Sequence, residues 1–287
     1  MKAWIKKGIA VAAALATTTT GVVVGLGGTS SAAVMSLPAF GITGDGRVMA
    51  AFTTDQPDVL NWVRVIRGLV GDTALIGIDF RVQDGLLYGV GNQGGIYTVQ
   101  LPTGSQDPVV TKVSQLTVPL YGTFFGVDFN PAADRLRVVS DNGQNLSHNV
   151  AGSTTEQTTL TTPPDTGPTR GVSAAAYTNN DLHPDTNTTL FDINTTTDQV
   201  VIQSPPQFGF LVATGALGVD AGANAGLDIF SDLTNGKTTT VFAFGAFTSP
   251  SSGVATLYDI HLITGRATRI GDFPLAIADI AIGLDTN

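Results

Sequence analysis

Three observations predict an all-β fold, a β-propeller of five blades. A short strand motif recurs along the chain, the composition is rich in turn formers, and long stretches of helical periodicity are absent. The motif is clearest in Gly126-Val127-Asp128-Phe129-Asn130-Pro131, an apolar strand running into a Pro/Asp turn, followed by the second strand Leu136-Arg137-Val138-Val139. Leu75-Ile76-Gly77-Ile78-Asp79-Phe80 and Ala216-Leu217-Gly218-Val219-Asp220-Ala221 read as copies of it, Val172 to Tyr177 as a degenerate copy, and Ile277 to Gly283 as the last. Their starts lie about 45 to 60 residues apart, the period of propeller blades. With 34 Gly, 43% hydrophobic and 13% charged residues, the composition suits many strands and tight turns. Six blades is the alternative, since the interval before Ile277 is long enough to conceal another.

In chain order, the N-terminus reads as a targeting segment. Lys2, Lys6 and Lys7 precede the apolar run Gly8 to Ala16, and Thr29-Ser30-Ser31-Ala32-Ala33 offers small residues to a signal peptidase. Cleavage is expected after Ala32 or Ala33, giving a signal peptide over 1–32 and one propeller domain over 33–287. The apolar core is short and is broken by Thr17 to Thr20, which argues against a membrane anchor. Phe40 to Phe52 then predicts a hairpin turning at Gly44-Asp45-Gly46, and Val59 to Ile66 another strand.

Second strands are expected at Leu86 to Val90, Leu136 to Val139 and Leu227 to Phe230. Third strands are expected at Gly95 to Val99, Thr189 to Ile193 and Thr256 to Ile260, and an outer strand at Val109 to Val113. The chain ends on an innermost-type strand with no blade after it, and it begins on strands with no innermost strand before them. The C-terminal strand is therefore expected to complete the N-terminal blade and close the ring, leaving no exposed inner edge.

The run Gly126 to Asn145, together with Ala175-Ala176-Tyr177-Thr178-Asn179-Asn180-Asp181, resembles a family of bacterial exported propeller-like proteins catalogued as a domain of unknown function, family 4394. The resemblance covers about Leu37 to Gly283. It implies a propeller fold and export, and it brings no catalytic or binding residues with it. Ser147-His148 departs from the family's pattern, so His148 is peculiar to this chain.

Composition narrows the functions. The formal charge is −9; without the three N-terminal lysines, 11 basic residues face 23 acidic ones, a formal charge of −12. Such a chain repels phosphate backbones and anionic lipid, so neither nucleic acid nor a membrane surface is an expected partner. There is no Cys, which excludes disulfides, thiolate metal sites and Cys nucleophiles. His148, His183 and His261 are the only histidines, too few for a His-rich metal centre.

Asp79, Asp128 and Asp220 hold matching places in three motif copies, so they are the candidate catalytic residues, set to converge on the central channel. The competing reading is structural, because a residue recurring with the repeat meets the same backbone need in every blade. The polar segment Thr178 to Asn187 replaces a regular second strand. Its Asn179, Asn180 and His183, with Arg170 nearby, are candidate ligand-binding residues, and Asp181 and Asp185 candidate metal ligands. A solvated turn is the plainer account of that segment.

No cofactor is expected, with Ca²⁺ the one that the acidic residues leave open. The reading that results is an exported, monomeric binding or interaction module at or outside the cell surface, with no membrane span in the mature chain and an unassigned extracellular ligand or protein as partner. The alternatives are an Asp-based, calcium-assisted hydrolase or lyase acting on an extracellular carbohydrate or lactone, and a structural envelope protein.

Overall fold

The computed structural model describes residues 34–287, so the expected signal peptide and its cleavage site lie outside the described residues. Twenty strands form five four-stranded antiparallel sheets, and among the described residues there is no helix. Blade 1 contains β1 (Pro38–Thr43), β2 (Val48–Thr53) and β3 (Trp62–Val65), and its innermost strand is the last in the chain, β20 (Ile277–Ile282). Blade 2 is β4 (Leu75–Arg81), β5 (Leu86–Gly91), β6 (Gly95–Gln100) and β7 (Val109–Gln115). Blade 3 is β8 (Phe125–Asn130), β9 (Arg135–Ser140), β10 (Gln144–Asn149) and β11 (Thr154–Thr159). Blade 4 is β12 (Val172–Tyr177), β13 (Leu190–Asn194), β14 (Gln199–Gln203) and β15 (Leu211–Ala216). Blade 5 is β16 (Ala225–Thr234), β17 (Lys237–Thr248), β18 (Ala255–Ile260) and β19 (Ala267–Asp272).

The ring closes as the sequence predicts. β20 pairs antiparallel with β1, Ala39 opposite Ile282 and Gly41 opposite Ile280, and the five innermost strands β20, β4, β8, β12 and β16 pack in sequence around the centre. Five blades, not six, account for the described residues.

Three assignments within it are corrected. Asp220 lies outside every innermost strand, in the connection before β16 where the chain turns at Gly218 and Gly222, both with positive φ. The innermost strand of blade 5 is β16, so Leu227 to Phe230 is not a second strand. Thr189 to Ile193 is likewise the second strand of blade 4 rather than its third, and the polar segment before it joins β12 to β13.

The hydrophobic core is divided among the five junctions between blades. Phe52, Phe244 and Phe273 fill the junction of blades 5 and 1, and Ile42, Ile78 and Tyr97 that of blades 1 and 2. Innermost strands approach so closely that side chains are excluded at certain positions. A Cβ on Gly126 would stand 2.5 Å from the backbone N of Ala175 in the next blade. The junction of blades 3 and 4 has the smallest apolar cluster, around Val139, Leu160, Tyr177 and Leu190, and it also buries Arg137, Asn145, Asp192 and Gln203. Among the described residues no helix is long and apolar enough to cross a membrane.

Candidate functional site

The central channel gathers four carboxyl groups from four innermost strands. Asp79 on β4, Asp128 on β8 and Asp228 on β16 each place an oxygen within 4.8 Å of the other two, and Asp279 on β20 lies beside them. All four are between 1% and 5% exposed. Each accepts a backbone N–H from the following blade. Phe129 donates to Asp79 Oδ2 (2.7 Å), Tyr177 to Asp128 Oδ1 (3.1 Å) and Ile282 to Asp228 Oδ2 (2.5 Å). Asp279 Oδ2 accepts from Ile78 (2.8 Å), the residue before Asp79 rather than the one after, so its carboxyl sits one step along the channel. Glycines make the room: a Cβ on Gly77 or Gly226 would fall 3.2 Å from Oδ2 or 2.9 Å from Oδ1 of Asp279.

Burial raises the pKa of all four. Asp228 is pushed up to about 7, against the pull of the Ile282 and Ile229 N–H groups. Asp79, Asp128 and Asp279 are driven well above the usual carboxylate range, first by burial and then by the charges of the other members. Sequence reasoning places Asp79 and Asp128 here but misses Asp228 and Asp279; Asp220 is exposed, and its Oδ1 accepts the Gly222 N–H.

Blade 4 contributes no carboxyl to this ring, since Ala176 precedes the N–H that Asp128 receives. The polar segment after β12 ties blade 4 to blade 5 instead. Asn180 donates from its backbone N to Ser231 Oγ (2.8 Å) and from Nδ2 to the Ile229 carbonyl (3.0 Å). Asp181 accepts the His183 N–H on Oδ1 (2.8 Å), and both the N–H and the hydroxyl of Thr238 on Oδ2 (2.9 and 2.5 Å). Burial opposes ionisation there, yet these donors hold Asp181 below its ordinary value. Asn179 Nδ2 donates to the Asn187 carbonyl, and His183 Nδ1 accepts the Asp185 N–H (3.2 Å). The segment is thus a strap, with Asp185 at its exposed turn.

The remaining candidate, Arg170, stands at an opening. The connection from β11 to β12, residues 160–171, overhangs a cleft of about 730 Å³ between blades 3 and 4, with Arg170 on its rim. Asp165, Thr169, Thr196, Thr197 and Gln199 provide polar walls, and Val201 and Leu211 an apolar floor. Arg170 also borders a second depression of about 350 Å³ with Asp141 and Asp220. Its Nη1 donates to Asn142 Oδ1 (2.7 Å), which tethers the guanidinium across the junction, while among the described residues no carboxylate pairs with it. Phe208 and Phe210, 55% and 44% exposed with ring centroids 6.1 Å apart, precede the cleft residue Leu211 in the chain but do not line the cleft.

Beneath the cleft runs a buried polar seam. Arg137 donates to Asn145 Oδ1 (2.7 Å), the Leu146 carbonyl (3.3 Å) and Tyr177 Oη (3.3 Å). Asp192, fully buried and directly opposite the cleft residue Val201 in the strand register, has no hydrogen-bond partner on either oxygen. Burial drives its pKa well up, with Arg137 pulling the other way. His148 is structural: Nε2 meets Ser114 Oγ of blade 2 and Nδ1 meets Thr155 Oγ1, both at 2.9 Å.

Among known proteins, residues 48–281 match the family described as "Domain of unknown function (DUF4394)". No curated protein matches the chain. Of solved structures, it is similar to a Bacteroides thetaiotaomicron structural-genomics protein of unknown function, at 14% identity and TM-score 0.42, covering 88% of this chain and 68% of that one. It is also similar to Kuenenia stuttgartiensis hydrazine synthase, at 12% identity and TM-score 0.39 over 70% of this chain, and to the WD40 domain of Toxoplasma gondii coronin, at 13% and 0.39 over 79%. The chain spans about half the length of these last two, 50% and 55%.

Proposed function

Because the chain belongs to the family of unknown function matched over residues 48–281, its role has to be read from the site, and we propose that it is an exported binding module whose ligand seats in the cleft between blades 3 and 4. The observation that carries this is Arg170, a guanidinium held in place by Asn142 at the rim of a cleft of about 730 Å³ with hydroxyl-bearing walls and an apolar floor. A planar guanidinium with free N–H groups matches a carboxylate bidentately. Threonine hydroxyls suit a polyhydroxylated ligand. The ligand class is therefore a glycan or similar molecule that carries both hydroxyls and a carboxylate. Export is supported by the basic, apolar and small-residue order of the first 33 residues.

The second reading, a hydrolase built on channel carboxylates, draws support from the convergence of Asp79, Asp128 and Asp228. Against it weigh their burial and their engagement with backbone N–H groups. Calorimetric titration with acidic and neutral oligosaccharides tests the proposal. Binding of the acidic set is expected to fall at least tenfold in Arg170→Ala, with Tm unchanged because the residue is exposed. Equal affinity in wild type and variant, or release of cleaved product by the wild type, would sink it.

A further inference from the structure

Four carboxyl groups face one another in the channel, and the surrounding elements bring nothing to balance them. β4, β8, β16 and β20 contribute Asp79, Asp128, Asp228 and Asp279, while β12 presents Ala174 and Ala176; the other charged groups on these strands are Arg81, paired with Asp84 and Asp134, and Asp232 towards the outer end of β16. Among the described residues no Lys or Arg forms an ion pair with any of the four, and the buried cation on the adjacent second strand, Arg137, is bonded to Tyr177, Asn145 and Leu146. Like charges this close in a medium of low dielectric cannot all persist.

A divalent cation is the obvious remedy, and the donor set fits it poorly. Calcium takes six to eight oxygens. Here both oxygens of Asp79 and both of Asp228 already accept backbone N–H groups, from Phe80 and Phe129 and from Ile229 and Ile282. Protons fit better, because a carboxyl that gains one keeps a carbonyl oxygen to accept the neighbouring blade's N–H.

We propose that the propeller is closed at its centre by protons which the four carboxyls share, so that the ring is locked in mild acid and loosens as the solution turns alkaline. The geometry gives this a mechanical meaning. The same carboxyls latch blade 1 to 2, 2 to 3, 3 to 4 and 5 to 1 through the N–H groups of Ile78, Phe129, Tyr177 and Ile282. Mutual repulsion therefore acts on the atoms that hold four of the five junctions. The fifth, between blades 4 and 5, has the Asn180–Asp181 strap instead and stands outside the effect.

The sign follows from the direction of the shifts. Groups whose folded pKa is raised bind more protons folded than unfolded, so their stabilisation is full below the ordinary carboxylate range and is lost as pH climbs towards the folded value, about 7 for Asp228. Two other buried groups titrate too. Asp192 acts in the same direction, and His148, held low by burial, acts in the opposite one. The readout must therefore be a difference between variants.

Melting temperature between about pH 4.5 and 8.5 is measured for wild type and for Asp128→Asn, with calcium and with chelator. Asp128 is chosen because only its Oδ1 accepts a described N–H, which an amide oxygen preserves. The wild-type Tm is expected to fall as pH rises, and the fall to be clearly shallower in Asp128→Asn, with calcium and chelator without effect. A parallel pair of profiles would overturn the proposal. So would a calcium-dependent rise at high pH that chelator removes and Asp128→Asn abolishes, since the channel would then take a metal. If Asp128→Asn does not fold, Asp279→Asn replaces it, its Oδ2 accepting from Ile78 alone.

Discussion

The seam between blades 3 and 4 makes a lopsided prediction, because its two buried ionisable groups are not equivalent. Arg137 makes three hydrogen bonds, to Asn145, Leu146 and Tyr177, and Asp192 makes none. Arg137→Met fills similar volume but removes the donor to the Leu146 carbonyl, leaves Asn145 Oδ1 with Gln203 alone, and removes the charge that offsets Asp192. Removing one member of a buried charged network costs about 3–5 kcal/mol. At about 2–4 °C per kcal/mol for a domain of this size, the expected fall in Tm is on the order of 10 °C.

Asp192→Val replaces a carboxyl without partners by an apolar side chain that suits a strand. Leaving a polar group unsatisfied costs about 1–3 kcal/mol, so this variant should be neutral or more stable. It should also lose part of the decline in stability towards high pH, since burial raises the folded pKa of Asp192. Thermal melts of both single variants and of the double variant, analysed as a cycle, test the reasoning. Arg137→Met within about 2 °C of wild type, against the 2–4 °C that a single kcal/mol produces, would show that Arg137 does not hold the seam. An Asp192→Val variant as damaged as Arg137→Met would show that water completes a real pair between them.

Three further outcomes follow from geometry. Gly126→Ala is expected to cost about 3 kcal/mol or more, because the added methyl meets the Ala174–Ala175 backbone, which cannot swing aside. Gly85→Ala, at φ +69 with nothing within 4 Å, should cost only about 1–2 kcal/mol in chemical denaturation. Asp181→Ala should destabilise by about 2 kcal/mol through the stranded Thr238 and His183 donors. Because those donors outweigh burial and hold Asp181 below its ordinary value, its contribution should be present at neutral pH and fade as pH falls into the acid range. A wild-type-like acid profile for the variant would count against that account.

The fold was legible because a propeller repeats its evidence: each blade restates the same strand, turn and strand, and the ends of the chain supply what the other lacks. The site was legible only where the repeat is regular. Gly218-Val219-Asp220 and Gly226-Leu227-Asp228 carry the same spacing eight residues apart, and only burial distinguishes them, since Gly222 turns the chain between them. Asp279 has no glycine two residues before it and sits one step out of line, so the motif does not reveal it. Arg137 and Asp192 were visible as charges inside apolar strand runs, a signal of burial with a purpose, but which blade each faces depends on a register that spacing alone does not give. The cleft escaped because one of its walls, with Arg170 on it, is an irregular connection, residues 160–171, that resembles no other part of the repeat.

The closing strand has a consequence for how the ring comes into being. Ala39 pairs with Ile282, so the first and last strands meet across nearly the whole described sequence. Four blades can assemble from neighbours as they emerge, but blade 1 keeps a bare inner edge until Ile277–Ile282 has been made. Contacts this distant in sequence are slow to find, and they tend to set the pace of folding. The same late strand delivers Asp279 and the N–H of Ile282, so it completes the central latches in the act of completing the sheet. Until that strand arrives the molecule is an open arc.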